Sequence, residues 1–161
     1  MSIKMLIKGI IDCDLVNYKE PCLTIETPKC NFKCDKECGM SVCQNSSLAS
    51  AATFNCPIKT IIDYFDANPV TQAICFQGLE PFDTFEDLLS FIQAFRVSHS
   101  QPIIIYSGYT QQELKEFLKI LKQYKNIIIK FGRFIPNDNS IYDKTLGVNL
   151  SSSNQYAEVI S

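Results

Sequence analysis

Four of the chain's eight cysteines fall within Lys29–Asn45, KCNFKCDKECGMSVCQN, a run of small, charged and polar residues for which an apolar core has no use. Cys30 and Cys34 enclose three residues, Cys38 follows after three more, and Cys43 stands directly before Gln44-Asn45. Thiolates spaced this closely on a loop can converge on one metal centre. A structural zinc site wants four tetrahedral ligands, usually as two short-spaced pairs, and no two-residue pair occurs here. A disulfide framework belongs to an oxidising compartment, yet the N-terminal MSIKMLIKG is short and broken by lysines, so it does not read as an export signal. An iron–sulfur cluster, held by thiolates at close and variable spacing, suits the segment best.

The other four cysteines, Cys13, Cys22, Cys56 and Cys75, sit singly in apolar or mixed surroundings and read as buried free thiols. The single histidine, His99, lies in a polar SHSQ stretch far from the cysteines and reads as a surface residue rather than a ligand.

The elements that must carry this loop are legible in order. Residues 3–18 hold two short apolar runs around Gly9 and read as an entry strand or hairpin. Cys22–Glu26, CLTIE, is a β-branched strand that Pro28 ends, so the cysteine run opens at a strand's C-terminal end. Ser46–Ala52 tolerates helix, and Ile58, Ile61, Ile62 and Phe65 recur at helical spacing until Asn68-Pro69. Thr71–Phe76 is a second strand. Thr84 reads as the cap of an amphipathic helix with Phe85, Leu88, Leu89, Ile92 and Phe95 as its stripe, and Phe82 and Phe91 join the aromatic core. Pro102–Tyr106 is the continuous apolar run of a central parallel strand. Thr110 and Glu113 form a capping box before the stripe Leu114, Phe117, Leu118, Leu121. Asn126–Lys130 is a fourth strand, and one more short strand is expected near Leu146–Leu150.

Strand alternating with helix predicts an α/β fold with a mainly parallel sheet and right-handed crossovers. At 161 residues the chain is read as one domain, 1–161. It is too short for eight βα units, which need about 250 residues, so an open, partial (βα) barrel is expected. A net charge of −2, from 15 basic and 17 acidic residues without long runs of either sign, argues against nucleic acid or an anionic membrane as partner. No stretch of apolar residues is long enough to span a bilayer, and so many cysteines without an export signal point to a reducing cytoplasm.

TPKCNFKC followed by CQNS resembles the cluster loop of radical S-adenosylmethionine enzymes, in particular the small activating enzymes of glycyl-radical proteins. Their loop reads C-x3-C-x2-C with Asn two residues after the third Cys. Here the second gap is three residues, to Cys38, or eight, to Cys43. The downstream Asn45 favours Cys30, Cys34 and Cys43, with Cys38 the near alternative. The resemblance implies a 4Fe-4S cluster on three thiolates, one iron being left for the amino and carboxylate groups of S-adenosylmethionine. Ligation by all four would leave no such iron, as in an electron-transfer or structural cluster.

Three further segments carry the resemblance. Gly78-Leu79-Glu80-Pro81 is similar to the family's GGEP motif, which meets the cofactor's amino group. Tyr106–Thr110, YSGYT, resembles a loop of the anaerobic ribonucleotide reductase activases that contacts the cofactor, which implies roles for Ser107, Gly108 and Tyr109. FGRFIP around Arg133, and Gly147-Val148 with Ser152-Ser153-Asn154-Gln155, resemble the DGRF-like and GSSNQ-like stretches of the same activases, although a polar terminal run by itself reads as a solvated end. The resemblance further implies a truncated radical S-adenosylmethionine fold, a glycyl-radical protein as substrate, and a flavodoxin or ferredoxin as electron donor.

Overall fold

The computed structural model describes residues 3–30 and 46–161. Its centre is a six-stranded sheet in the order β10-β7-β6-β5-β3-β2, where β2 is Gly9–Asp14, β3 Cys22–Glu26, β5 Ala73–Gln77, β6 Ile103–Tyr106, β7 Ile127–Phe131 and β10 Tyr156–Val159. The four inner strands are parallel, and β2 and β10 run antiparallel along the two edges. CLTIE, AICFQ, IIIY and IIIKF are buried almost throughout, as strands covered on both faces must be.

The two faces are covered differently. Helices α1 (Ile58–Ala67), α2 (Phe85–Arg96) and α3 (Lys115–Leu121) all pack on one of them. Ile61, Phe65, Leu88, Phe91, Ile92, Phe95, Leu118 and Leu121 meet Leu23, Ile25, Ile74, Phe76, Ile105 and Ile129 there. The opposite face shows Cys22, Cys75, Ile104 and Ile128, and is roofed by Tyr18, Leu146 and Leu150. Alternate residues of each strand therefore serve two different layers, as the pleat requires.

Two small sheets flank this body. β1 (Lys4–Ile7) pairs antiparallel with β4 (Phe54–Pro57), and β8 (Ile141–Asp143) with β9 (Val148–Leu150). β1 and β2 are thus no hairpin: Lys8 alone separates them, and they join different sheets. β4, β8 and β10 do not stand out in the sequence, because each is short and largely exposed and is held by its partner strand. The strand expected near Leu146–Leu150 is β9, with Leu146 a buried core residue before it.

Two caps differ from expectation. Thr84 makes no side-chain cap to α2 and instead ends a 3-10 turn, Pro81–Thr84, whose Phe82 N–H donates to Glu80. The Thr110–Glu113 box is made in both directions, at 2.9 and 3.2 Å, but over a turn that precedes α3. Among the described residues no helix is long and apolar enough to cross a membrane.

Candidate functional site

The C-terminal ends of the parallel strands open into one cavity of about 290 Å³. Cys30 reaches it just beyond β3; Gly78, Leu79 and Glu80 follow β5; Ser107 and Gly108 follow β6; Lys130 and Gly132 come from the end of β7. Parallel strands bring these residues together because each exit loop emerges on the same side of the sheet.

The first two exit loops are stitched to each other. Thr27 N–H donates to the carbonyls of Gln77 and Gly78, at 3.1 and 3.0 Å, and its hydroxyl also reaches Gly78 O at 2.9 Å. The amide of Glu80 donates to Lys29 O at 2.7 Å, so the residue before Cys30 is fixed to GLEP. Gly78 takes φ +62°, a conformation that favours glycine, and the place a Cβ would occupy lies 2.6 Å from Leu48 Cδ2.

Glu80 is 5 % exposed and engaged by three donors: Gly108 N–H at 2.7 Å, Phe82 N–H at 3.1 Å, and the Ser107 hydroxyl at 3.0 Å from both carboxylate oxygens. Burial pushes its carboxyl up to about 7, while these hydrogen bonds pull the other way. Ser107 Oγ accepts from Tyr109 N–H at 3.0 Å, and Tyr109 OH donates to Asp83 at 2.5 Å, joining the β6 loop to the 3-10 turn. The expected cofactor residues Gly78, Glu80, Ser107 and Gly108 thus share the cavity wall. Pro81 starts the 3-10 turn behind it, and Tyr109 braces the same network from outside. In this geometry the Glu80 carboxylate is a tie between two loops.

Sequence reasoning passed over Lys130, and named Tyr106 and Gln155 only as members of matched segments. Lys130 is buried at the end of β7, its Nζ donating to Gly132 O at 2.9 Å and lying 5.8 Å from the centre of the Tyr106 ring. It sets a hydrogen-bond donor in the cavity wall. The available signal was a lysine closing an otherwise apolar strand. Tyr106 OH donates to Asn17 O at 2.5 Å, and burial raises its ionisation well above the ordinary range.

The Ser152–Gln155 run is no solvated end. Ser152 and Gln155 are buried; Gln155 Nε2 donates to Gly132 O at 3.2 Å and Asn154 Nδ2 to Arg133 O at 2.8 Å. Arg133 in turn pairs with Glu113 at 2.6 Å. His99 is no loose surface residue either: its side chain is 13 % exposed, stacks on Phe95 at 4.4 Å and meets Asp66 at 2.6 Å.

Of the candidate cluster ligands, Cys30 is half-buried beside the cavity. Cys34, Cys38 and Cys43, with Asn45, lie outside the described residues. Burial holds the Cys22 thiol up at about 12 and raises Cys75 well above its ordinary value, so both stay protonated and inert in the core. Cys56 is half-buried, and Cys13, expected inside, is exposed on edge strand β2. Among the described residues no group of three Cys, His, Asp or Glu side chains is placed to hold a metal ion.

An α/β sheet whose parallel strands end at a cavity bordered by Cys30, Gly78, Glu80, Ser107 and Gly108 defines a class of protein with its site at the strand ends. The family model described as a 4Fe-4S single cluster domain matches residues 23–157, from β3 to β10. The chain belongs to this family. Comparison with curated proteins and with solved structures gives no match. The donor chemistry agrees with such a cluster, which takes thiolates, and the Cys30 thiol borders the cavity.

Proposed function

We propose that this iron–sulfur protein is a radical S-adenosylmethionine enzyme of the activase type, acting on a glycyl-radical partner such as anaerobic ribonucleotide reductase. The observation that carries the reading is the convergence of Cys30, Gly78, Glu80, Ser107 and Gly108 on one cavity. Placement of α1, α2 and α3 on one face supports an open (βα) barrel, whose concave side would be the face bearing Thr24, Tyr106 and Lys130.

In this reading Cys30, Cys34 and Cys43 hold the cluster, with Cys38 the alternative third ligand. Bound and reduced, the cluster would supply the electron for cleavage of S-adenosylmethionine to methionine and a 5′-deoxyadenosyl radical able to take hydrogen from the partner's glycine. The chain's own part is to shape the pocket. Glu80 fixes the β5 and β6 loops at a set separation, Lys130 offers a hydrogen-bond donor to an anionic group of the ligand, and the roof over the inner face limits water. A flavodoxin or ferredoxin would supply the electron.

Anaerobic reconstitution, followed by dithionite and S-adenosylmethionine, tests the reading through the yield of 5′-deoxyadenosine. One observation favours a second reading, an electron-transfer or regulatory protein without cofactor cleavage: the Glu80 carboxylate is already engaged by three internal donors. A four-iron cluster that yields no 5′-deoxyadenosine decides for that alternative. Stoichiometric zinc without sulfide ends both.

A further inference from the structure

We infer that Lys8 is a positioning residue for the cluster, because it fastens both ends of the segment that carries the cysteines; the inference rests on reading Cys30–Cys43 as ligands. Lys8 is the single residue between β1 and β2. Its backbone N–H donates to Glu26 O at 2.7 Å, at the end of the strand from which Cys30 departs. Its ammonium donates to Ala49 O at 3.2 Å and to Ala51 O, where the chain returns.

The returning stem needs such a hold. Ser46–Ala49 is one helical turn, closed by Ala51 N–H to Leu48 O at 3.1 Å. A lone turn fixes several dihedrals for one hydrogen bond, so it does not persist on its own account. It also leaves its last carbonyls without intrahelical donors. An ammonium with three hydrogens can satisfy two carbonyls at once, and a cation is favourable at that end of a turn. Leu48 meanwhile rests on Gly78, which has no side chain to stand in the way. Entry stem, exit stem and the Gly78–Glu80 loop are thereby tied into one unit, with Lys8 bonded to both stems.

The test is Lys8→Met against Lys8→Arg in the full chain, with two readouts: amide exchange over residues 48–52 in the protein as isolated, and the rate of iron release to a chelator after anaerobic reconstitution. Lys8→Met should exchange faster there and release iron roughly ten-fold faster, the lower end for groups acting on a metal site at second hand. Lys8→Arg, which keeps the charge and the reach, should restore both. Leu48→Ala, loosening the same stem through its other contact, should act like Lys8→Met. Iron release at the wild-type rate in Lys8→Met, whether or not exchange rises, overturns the inference and leaves the cluster reading standing. A wild-type chain that takes up no iron and sulfide overturns the cluster reading itself.

Discussion

Glu80 holds its proton into the neutral range because it is sealed from water, and that has a consequence for stability. Its carboxyl sits at about 7 in the folded chain against an ordinary 4.5. Between those values the unfolded chain has released the proton and the folded chain has kept it. Stability therefore falls as pH rises from about 4.5 to about 7, by about 3 kcal/mol at most. Glu80→Gln carries no titrating proton and keeps an oxygen for Gly108 N–H, so it should flatten the slope of unfolding free energy across that window, as urea titrations at stepped pH would show. A slope that survives places the titration on another group. Glu80→Ala removes the tie altogether. Its loss should cost about 1–3 kcal/mol, the penalty of leaving buried donors unsatisfied, and should be seen as thermal destabilisation in the cluster-free protein. The ligand cysteines make the other residue-scale prediction. Cys→Ala at 30, 34 or 43 should each abolish a stable cluster, while Cys38→Ala keeps the cluster and cofactor cleavage. Loss on Cys38→Ala with retention on Cys43→Ala exchanges those two ligands. A requirement for all four leaves no open iron and moves the protein to electron transfer.

At the scale of elements, the strands and helices that carry the site are those with the strongest patterns. CLTIE, AICF, IIIY and IIIK are apolar on both faces because both faces are covered, and that condition shows in the sequence without knowledge of the neighbours. β4 and β10 lack it: FNCP and YAEV owe their strand form to β1 and β7, partners more than forty and about twenty-five residues away in the chain. Local pattern cannot report a distant edge. The same limit explains Thr84, whose position matches a cap by spacing while Glu80 satisfies Phe82 N–H from the turn before. Thr110 is a partly contrary case, since its expected bonds with Glu113 form in both directions, although over the turn ahead of α3. Thr110→Ala should therefore cost roughly 1 kcal/mol, the usual value of a lost cap, and lower the melting temperature by about 2–4 °C for a chain of this size. Glu113 also holds Arg133, so Glu113→Ala should cost more than Thr110→Ala in the same melt.

For the whole molecule, the site follows from which side of the sheet is helical. With α1, α2 and α3 on one face, the other carries a smaller apolar layer under Tyr18, Leu146 and Leu150, and strand ends bearing Cys30, Glu80, Ser107 and Lys130 open beside it. The alternation of elements made this topology readable. The loop ties did not show, since Lys29 and Glu80 meet through backbone atoms that carry no residue-specific signal, and Thr27 bonds Gln77 and Gly78 from a distant part of the chain. The architecture also predicts how folding and cluster loading are related. Apolar layers from β3, β5, β6 and β7 close against the helices on one side and against Tyr18, Leu146 and Leu150 on the other. That burial belongs to strands and helices and requires no metal ligand. A small zinc domain, by contrast, draws its folding free energy from the metal and unfolds when it is removed. Chelation should therefore leave this protein with its far-UV circular dichroism and a single cooperative melt. The melting temperature should fall only by the mass-action share of cluster binding. Metal removal should loosen residues 30–45, and faster amide exchange among the described residues should be confined to 27–30 and 46–52, where the chain meets Lys8 and Glu80. Loss of the cooperative melt on chelation would mean that the cluster, rather than the two apolar layers, holds the sheet together.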